Sequence, residues 1–217
     1  MLVTRPVTTL INPFKPFLEI HHMKRLLISS LLYGAMSLPV FAALTAGTPA
    51  PDFSTKASLA GKEFNYSLKE ALQKGPVIVY FYPSAYTGGC NIQAHTFATN
   101  IDKFNAAGAS IIGVSLDSIE RLNDFSADPE YCAGKVAVAS DTDGSISKAY
   151  DLVVKAAAEG KKDSRGVDIT HGFAERTTFI IKTDGKISAT LTGLKPAENV
   201  EKALEAVQQL SANAQEK

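Results

Sequence analysis

The sequence predicts an α/β fold, a central mixed sheet flanked by helices, and three observations carry that expectation. Val77-Ile78-Val79-Tyr80-Phe81-Tyr82 is a continuous apolar run of β-branched and aromatic residues, the pattern of a strand buried on both faces. Further short apolar runs alternate downstream with segments whose apolar residues recur at helical spacing. The chain then closes on two β-rich runs around Thr183-Asp184-Gly185, a hairpin signal, and on an amphipathic segment from Pro196 to Leu210.

Taken in order, Gly47 to Phe53 is an extended entry, because Thr48 and Ala50 each precede a proline and are pushed toward β geometry. Lys62 to Ser67 reads as a short strand, and Leu68 to Lys74 as one or two helical turns stopped at Gly75-Pro76. After the central strand, Pro83 and the turn residues Ser84, Thr87, Gly88 and Gly89 lead into a helix. Phe97, Ile101 and Phe104 line one face of it and Gly108 ends it. Ser110 to Leu116 is a second buried strand. Asp117 with Glu120 has the spacing of a capping box for a helix carrying Ile119, Leu122 and Phe125, broken at Pro129. Val136 to Ala139 is a third strand. Asp141-Thr142-Asp143-Gly144 invites a calcium-loop reading, but Leu152 stands where such a loop needs a glutamate, so the cluster reads as a turn capping a helix from Ser145 to Asp151. Lys155 to Ala174 is polar and reads as an exposed loop with room for a short strand. Arg176 to Ile181 and Lys186 to Leu191 form the hairpin, and Val200, Leu204, Val207 and Leu210 give the last helix its apolar face. Strands alternating with helices, then a hairpin and a helix, are what a thioredoxin-like fold requires.

The chain has 217 residues, 45% of them hydrophobic, and no net charge, which suits one globular domain at 43–217 with a short extra segment and gives no basic excess for nucleic acid. Lys24-Arg25, the apolar stretch Leu26 to Met36 and the small-residue site Val40-Phe41-Ala42 have the layout of an export signal at 23–42, cleaved after Ala42. A membrane anchor is the competing reading, disfavoured by Gly34, Ser37, Pro39 and the shortness of the run. Residues 1–22 have neither periodicity nor suitable flanks, so translation is expected to start at Met23. Cleavage removes four of 22 basic and one of 22 acidic side chains and leaves a net charge of about −3. The expected location is therefore the bacterial periplasm, an oxidising compartment where a disulfide persists unless something reduces it.

The two cysteines, Cys90 and Cys132, are too few for a disulfide scaffold and have no C-x-x-C spacing. Cys90 stands where a loop becomes a helix. There the first turn presents unpaired N–H groups and a partial positive charge, which favours a thiolate over a thiol. Cys90 is thus the leading nucleophile, with a buried inert thiol as its bland alternative.

Pro83-x-x-x-Thr87-x-x-Cys90 directly after a buried strand resembles the peroxidatic motif of the peroxiredoxins. The longer string FYPSAYTGGC is similar to their Q, or bacterioferritin-comigratory-protein, branch, while the opening Gly47-x-x-Ala50-Pro51-x-Phe53 and the Arg176-Thr177-Thr178-Phe179 run resemble peroxiredoxins generally. The resemblance implies a thiol peroxidase that reduces hydrogen peroxide and organic hydroperoxides. It implies that Cys90 is the peroxidatic nucleophile, that Thr87 holds thiolate and peroxide through its hydroxyl, and that Pro83 shields the sulfur. Arg176 would stabilise thiolate and transition state, and the N–H groups of Gly89 and Cys90 would complete the oxyanion-binding surface. Cys132 corresponds to the resolving cysteine of one family arrangement, with an unreactive thiol and one-cysteine chemistry as the alternative. No haem, flavin or metal is implied, and the expected partner is a thioredoxin-like dithiol acting on a monomer.

Three positions depart from the pattern. Gln93 replaces the customary glutamate and keeps hydrogen bonding without charge, Asn91 replaces a threonine, and His95 occupies a site where other members carry their resolving cysteine. Glu175, Arg121 and Arg165 are rivals to Arg176 with no motif behind them. His95 and His171 have no ligand partner at helical spacing and read as ordinary surface or helix-face histidines. Two other functions share the fold: a thiol–disulfide exchange protein, and a non-catalytic binding or chaperone domain.

Overall fold

The computed structural model describes residues 43–215; the expected export signal at 23–42 and the extension at 1–22 lie outside the described residues. Ser54–Leu59 (β1) and Lys62–Ser67 (β2) form an antiparallel hairpin, turning at Ala60-Gly61, both with positive φ. β1 is absent from the sequence expectation because only Ala57 and Ser58 of Ser-Thr-Lys-Ala-Ser-Leu are buried, so no alternation and no apolar run marks it. Leu68–Leu72 (α1) begins at Ser67, whose Oγ accepts from the Glu70 N–H, and Val77–Phe81 (β3) follows.

The helix expected through Phe97 and Phe104 is two helices, Gly88–Thr99 (α2) and Ile101–Ala106 (α3). Asn100 divides them at φ −106°, ψ 9°, outside helical geometry, while Phe97 and Phe104 both stay fully buried. Ser110–Ser115 (β4) and Ile119–Ala127 (α4) come next. The cap of α4 is Ser118, whose Oγ accepts from the Arg121 N–H, and not the expected Asp117/Glu120 box. Ala137–Ser140 (β5) leads to Ser145–Ala149 (α5). Asp141 caps this helix by accepting from the N–H groups of Ile146 and Ser147 at 2.9 and 2.8 Å, so the acidic cluster is a turn. Val154–Lys155 (β6) pairs with Phe173–Ala174 (β7) and closes the base of the polar segment 156–172. Thr177–Ile181 (β8), Ile187–Thr192 (β9) and Pro196–Gln215 (α6) complete the chain.

Among the described residues, seven strands form one sheet in the order β2-β1-β5-β4-β3-β8-β9. The pairs β3/β4 and β4/β5 are parallel and the others antiparallel, which makes the sheet mixed. β3 lies inside it, between β4 and β8, with no residue more than 1% exposed. Its period-two alternation feeds two cores: Ile78 and Tyr80 pack with side chains of α2, α3, α4 and α6, and Val77, Val79 and Phe81 with side chains of α1 and α5. Gly113, opposite Tyr80 in β4, has no replacement, because a Cβ there would stand 2.4 Å from the tyrosine ring. No described helix is long and apolar enough to cross a membrane.

Candidate active site

Cys90 is the third residue of α2, immediately beyond β3 and its exit loop. The first helical hydrogen bond runs from the Asn91 N–H to the Thr87 carbonyl at 2.8 Å. The N–H groups of Gly88, Gly89 and Cys90 therefore have no partner within the helix. Thr87, the N-cap residue, does not cover them. Its hydroxyl donates instead to the Ser84 carbonyl at 2.8 Å, which leaves the oxygen's lone pairs free to accept a bond. The hydroxyl expected to hold thiolate and peroxide thus has its own proton engaged by Ser84 in this structure.

Arg176, the residue before β8, reaches the same point from the opposite side. Its Nη2 lies 3.2 Å from Cys90 Sγ. Gly89 permits the approach, since a Cβ there would come within 3.2 Å of both Arg176 Nη2 and Pro196 Cγ. The other arm, Nη1, donates to Gln93 Oε1. Gln93 is fully buried one turn after Cys90, and its Nε2 donates to Asn199 Oδ1 at 3.0 Å. Asn199, in the first turn of α6, also accepts from the Thr178 hydroxyl at 2.6 Å. A chain of fixed donors thus runs from α6 through Gln93 to the guanidinium and the sulfur.

Residues 83–87 are held from below. Asp117 is fully buried, and its carboxylate accepts from the Ala85 N–H at 2.7 Å, the hydroxyls of Ser84 and Ser115 at 2.9 and 2.7 Å, and His171 Nε2 at 2.8 Å. Arg121 Nε stands 2.8 Å from the same carboxylate, and Arg121 Nη2 donates to the Ala85 carbonyl at 2.9 Å and to Asp163 at 2.8 Å. Burial opposes the charge on Asp117. The hydrogen bond and charge of His171, with the bonds from Ala85 and Ser115, outweigh it and hold the carboxyl below its usual range. Tyr86, next in the loop, has φ 60°, a left-handed conformation that costs a non-glycine residue roughly 1–2 kcal/mol.

Cys132 lies in the turn after α4, with no exposure, in the same apolar cluster as Cys90. Both thiols are free. Burial, and secondarily the Asp128 charge, pushes the Cys132 thiol far above its ordinary range. The rings of Phe125 and Tyr131 stack at 5.5 Å beside it, and Tyr86 meets them edge-on at 5.0 and 5.6 Å. This aromatic contact joins the loop before Cys90 to the turn that carries Cys132.

The AhpC/TSA family profile matches residues 46–190, two thirds of the chain. The chain belongs to that family. Peroxiredoxin Bcp of Escherichia coli strain K12 is 31% identical over 156 residues, which are 72% of this chain and 90% of that protein. The crystal structure of peroxidoxin BcpB from Mycobacterium tuberculosis superposes with a TM-score of 0.63 at 25% identity, covering 76% of this chain and 97% of the other. A structure of the Xanthomonas campestris bacterioferritin comigratory protein, described for its alkyl peroxide reduction activity, gives 0.57 at 26% identity over 72% and 91% of the two chains. This peroxiredoxin is a thiol-dependent peroxidase: a peroxide is its oxidant and a thiol its reductant. The comparisons favour that activity over thiol–disulfide exchange and over a non-catalytic binding domain.

Of the expected site residues, Cys90, Arg176, Gln93, Gly89 and Thr87 come together at the mouth of α2, and Pro83 opens the loop beside them. Cys90 is more buried than a helix start among glycines suggested, at 2% exposure, and the adjacent guanidinium is what sets it apart from an inert core thiol. Arg121 and Arg165 serve elsewhere: both pair with Asp163, and Arg165 stacks over the Tyr86 ring. Asn199 is missing from the sequence expectation. Its signal was a polar residue four and eight positions before Ala203 and Val207, on the apolar face of α6. His171 is not the surface histidine expected but half-buried against Asp117, whereas His95 is exposed, with Nδ1 3.0 Å from the Glu130 carbonyl.

Proposed function

We propose that Cys90 is the peroxidatic nucleophile of this peroxiredoxin and Cys132 its resolving thiol. The observation that carries the reading is the Arg176 guanidinium, with one arm on the Cys90 sulfur and the other held by Gln93. A peroxide entering beside the thiolate presents its O–O bond to sulfur. Sulfur takes one oxygen, the O–O bond breaks, and the leaving oxygen gains a proton to become water or an alcohol, while Cys90 becomes a sulfenic acid. The negative charge that grows on the leaving oxygen is met by the guanidinium and by the uncovered N–H groups of the first turn of α2. A lysine would not replace the arginine, since its single ammonium has no second arm to be fixed by Gln93. The lone pairs of Thr87 Oγ1 accept a hydrogen bond from the hydroperoxide O–H and orient the substrate.

The Cys132 thiolate then attacks the sulfenic sulfur, an S–S bond forms, and hydroxide leaves as water. A disulfide requires Cα atoms within about 7 Å, and with Cys90 docked in the folded first turn of α2 and Cys132 buried in its turn, the reading includes a loosening of both segments on oxidation. A thioredoxin-like dithiol supplies the two electrons that restore both thiols. The alkyl peroxide activity described for the Xanthomonas protein supports organic hydroperoxides as substrates beside hydrogen peroxide. The working species is exported to the periplasm, a reading supported by Lys24-Arg25, the apolar stretch to Met36 and Val40-Phe41-Ala42. Intact mass of the protein recovered from the envelope fraction tests export, with a chain beginning at Ala43 expected and one retaining residues 23–42 overturning it.

Rapid mixing of the reduced protein with hydrogen peroxide or an alkyl hydroperoxide, followed by thiol alkylation and mass analysis, tests the roles of the two cysteines. Wild type gives an intramolecular disulfide, Cys132→Ser stops at a Cys90 sulfenic acid, and Cys90→Ser consumes no peroxide. Oxidation of Cys90→Ser at the wild-type rate overturns the assignment.

A further inference from the structure

His171 makes two contacts that a neutral imidazole cannot satisfy together. Its Nδ1 is 2.8 Å from the Gly172 carbonyl and its Nε2 is 2.8 Å from Asp117 Oδ1. A carbonyl and a carboxylate only accept, so both ring nitrogens have to carry a proton. The ring that fits is the imidazolium. It completes a set of contacts that takes up both polar atoms of the Ala85 peptide: the N–H goes to Asp117 and the carbonyl to Arg121. The Tyr86 carbonyl accepts from the Ser164 N–H at 2.8 Å, and Ser164 belongs, like His171, to the segment 156–172 that β6 and β7 close at its base. That segment therefore reaches the loop before Cys90 directly at Tyr86, whose backbone is left-handed, and at Ala85 by way of Asp117 and Arg121.

We propose that His171, as an imidazolium between Asp117 and Gly172, is the positioning residue of a latch that holds Ser84-Ala85-Tyr86 in the form presenting Cys90 to peroxide, and that the latch opens when His171 loses its proton. The proposal rests on the reading of Cys90 and Cys132 given above, because an open latch frees the loop for disulfide formation. The groups facing His171 are the Asp117 carboxylate after β4, the Arg121 guanidinium on α4 with Asp163 behind it, and the Ser84 hydroxyl after β3. On its own segment Glu159, Lys161 and Asp168 line the open groove that His171 also borders, and the side chain is 19% exposed, so protons reach it from solvent. Burial works against the charged ring, but the hydrogen bond and charge of Asp117 prevail and raise its pKa. Deprotonation leaves one N–H for two acceptors, and Asp117 loses one of its two cationic neighbours.

Two measurements on the full chain test the latch. In the reduced wild type, protection of the Ala85 amide from hydrogen exchange, corrected for intrinsic base catalysis, is expected to fall in step with the imidazole titration of His171 followed by NMR. In rapid-quench experiments, His171→Gln is expected to convert the Cys90 sulfenic acid to the Cys90–Cys132 disulfide about 10-fold faster than wild type near pH 5.5, the two converging as pH rises through the His171 titration. His171→Lys, a cation at every pH used, is expected to stay slow throughout. Ala85 protection that ignores the His171 titration, or His171→Gln disulfide rates that track wild type over the whole range, overturns the proposal. Should His171→Gln fail to fold, the wild-type exchange profile decides alone. Absence of any disulfide at every pH would instead remove Cys132 from its role, and the Ala85 profile would still report on the latch.

Discussion

Cys90 and Cys132 occupy the same apolar face of the sheet, at 2% and 0% exposure, yet their surroundings differ in kind. Cys90 stands in the first turn of α2 with a guanidinium 3.2 Å from its sulfur. Cys132 sits in a turn among Phe125 and Tyr131, where burial drives its thiol far above the ordinary range. Shielding from water is common to both, so shielding does not decide reactivity. The fixed charges and dipoles around each sulfur do. Burial holds the Cys132 thiol neutral in this fold, so under the proposed mechanism it acts as a nucleophile once its turn opens.

The comparison breaks most visibly at the sulfurs. Cys90→Ser is expected to lose peroxide consumption outright, read by peroxide depletion under a steady supply of dithiol. Cys132→Ala is expected to keep the first turnover at the wild-type rate and lose disulfide formation, so a single equivalent of peroxide is consumed fast and then cycling stalls. If Cys132→Ala slowed the first turnover as much as Cys90→Ser does, the two sites would not be separable. Next in size is Arg176→Lys. It keeps a positive charge but loses the fork that joins sulfur to Gln93, and loss of one preorganised donor to a developing oxyanion costs about 10²–10³ in rate. Sulfenic acid formation by rapid quench is the readout, and a change under threefold would mean the guanidinium is not aimed at the leaving oxygen.

Asn199→Ala sharpens the same comparison at one remove. It touches no reacting atom, but it strips Gln93 Nε2 and the Thr178 hydroxyl of their acceptor. An unsatisfied buried donor costs about 1–3 kcal/mol, so the denaturation midpoint should fall. Arg176 should also become less well placed, with a loss of roughly tenfold in the rate of Cys90 oxidation. An Asn199→Ala variant that was destabilised and yet oxidised at the wild-type rate would show that Gln93 alone holds the arginine.

How far the sequence foretold this arrangement depended on how local the signal was. The central strand, the hairpin around Asp184-Gly185, the last helix and the helix-start position of Cys90 follow from apolar periodicity and turn chemistry over a few residues, and the structure contains them. Arg176 was legible through the resemblance of the Arg176-Thr177-Thr178-Phe179 run to a family motif. β1 was not, since its burial comes from pairing with β5, and Ser-Thr-Lys-Ala-Ser-Leu carries no pattern of its own. Asp117 had the spacing of a helix cap. The fold draws it inward instead, because Ser118 caps α4 and the buried loop at Ser84-Ala85 offers donors that need a carboxylate. His171 is 54 residues away from Asp117 in sequence, and no local pattern encodes a partner at that distance.

The smallest expected effect concerns the pair that the sequence hid. The folded-state pKa of His171 is raised, so its contribution to stability is complete below the unfolded value of about 6.5 and is lost as pH rises through the folded value. The folded-state pKa of Asp117 is lowered, so its contribution is complete above the unfolded value of about 3.9 and is lost as pH falls through the folded one. Between these limits the pair stabilises the loop before Cys90, and the aromatic turn around Cys132 has no share in it. Thermal midpoints of wild type and His171→Gln, measured across pH, should therefore lie furthest apart in mildly acidic buffer and approach each other as the solution becomes alkaline. A gap that stayed constant through neutrality would mean that the ring acts by its shape and not by its charge, and the contrast between a charge-held and an apolar-held sulfur would then stop at Arg176.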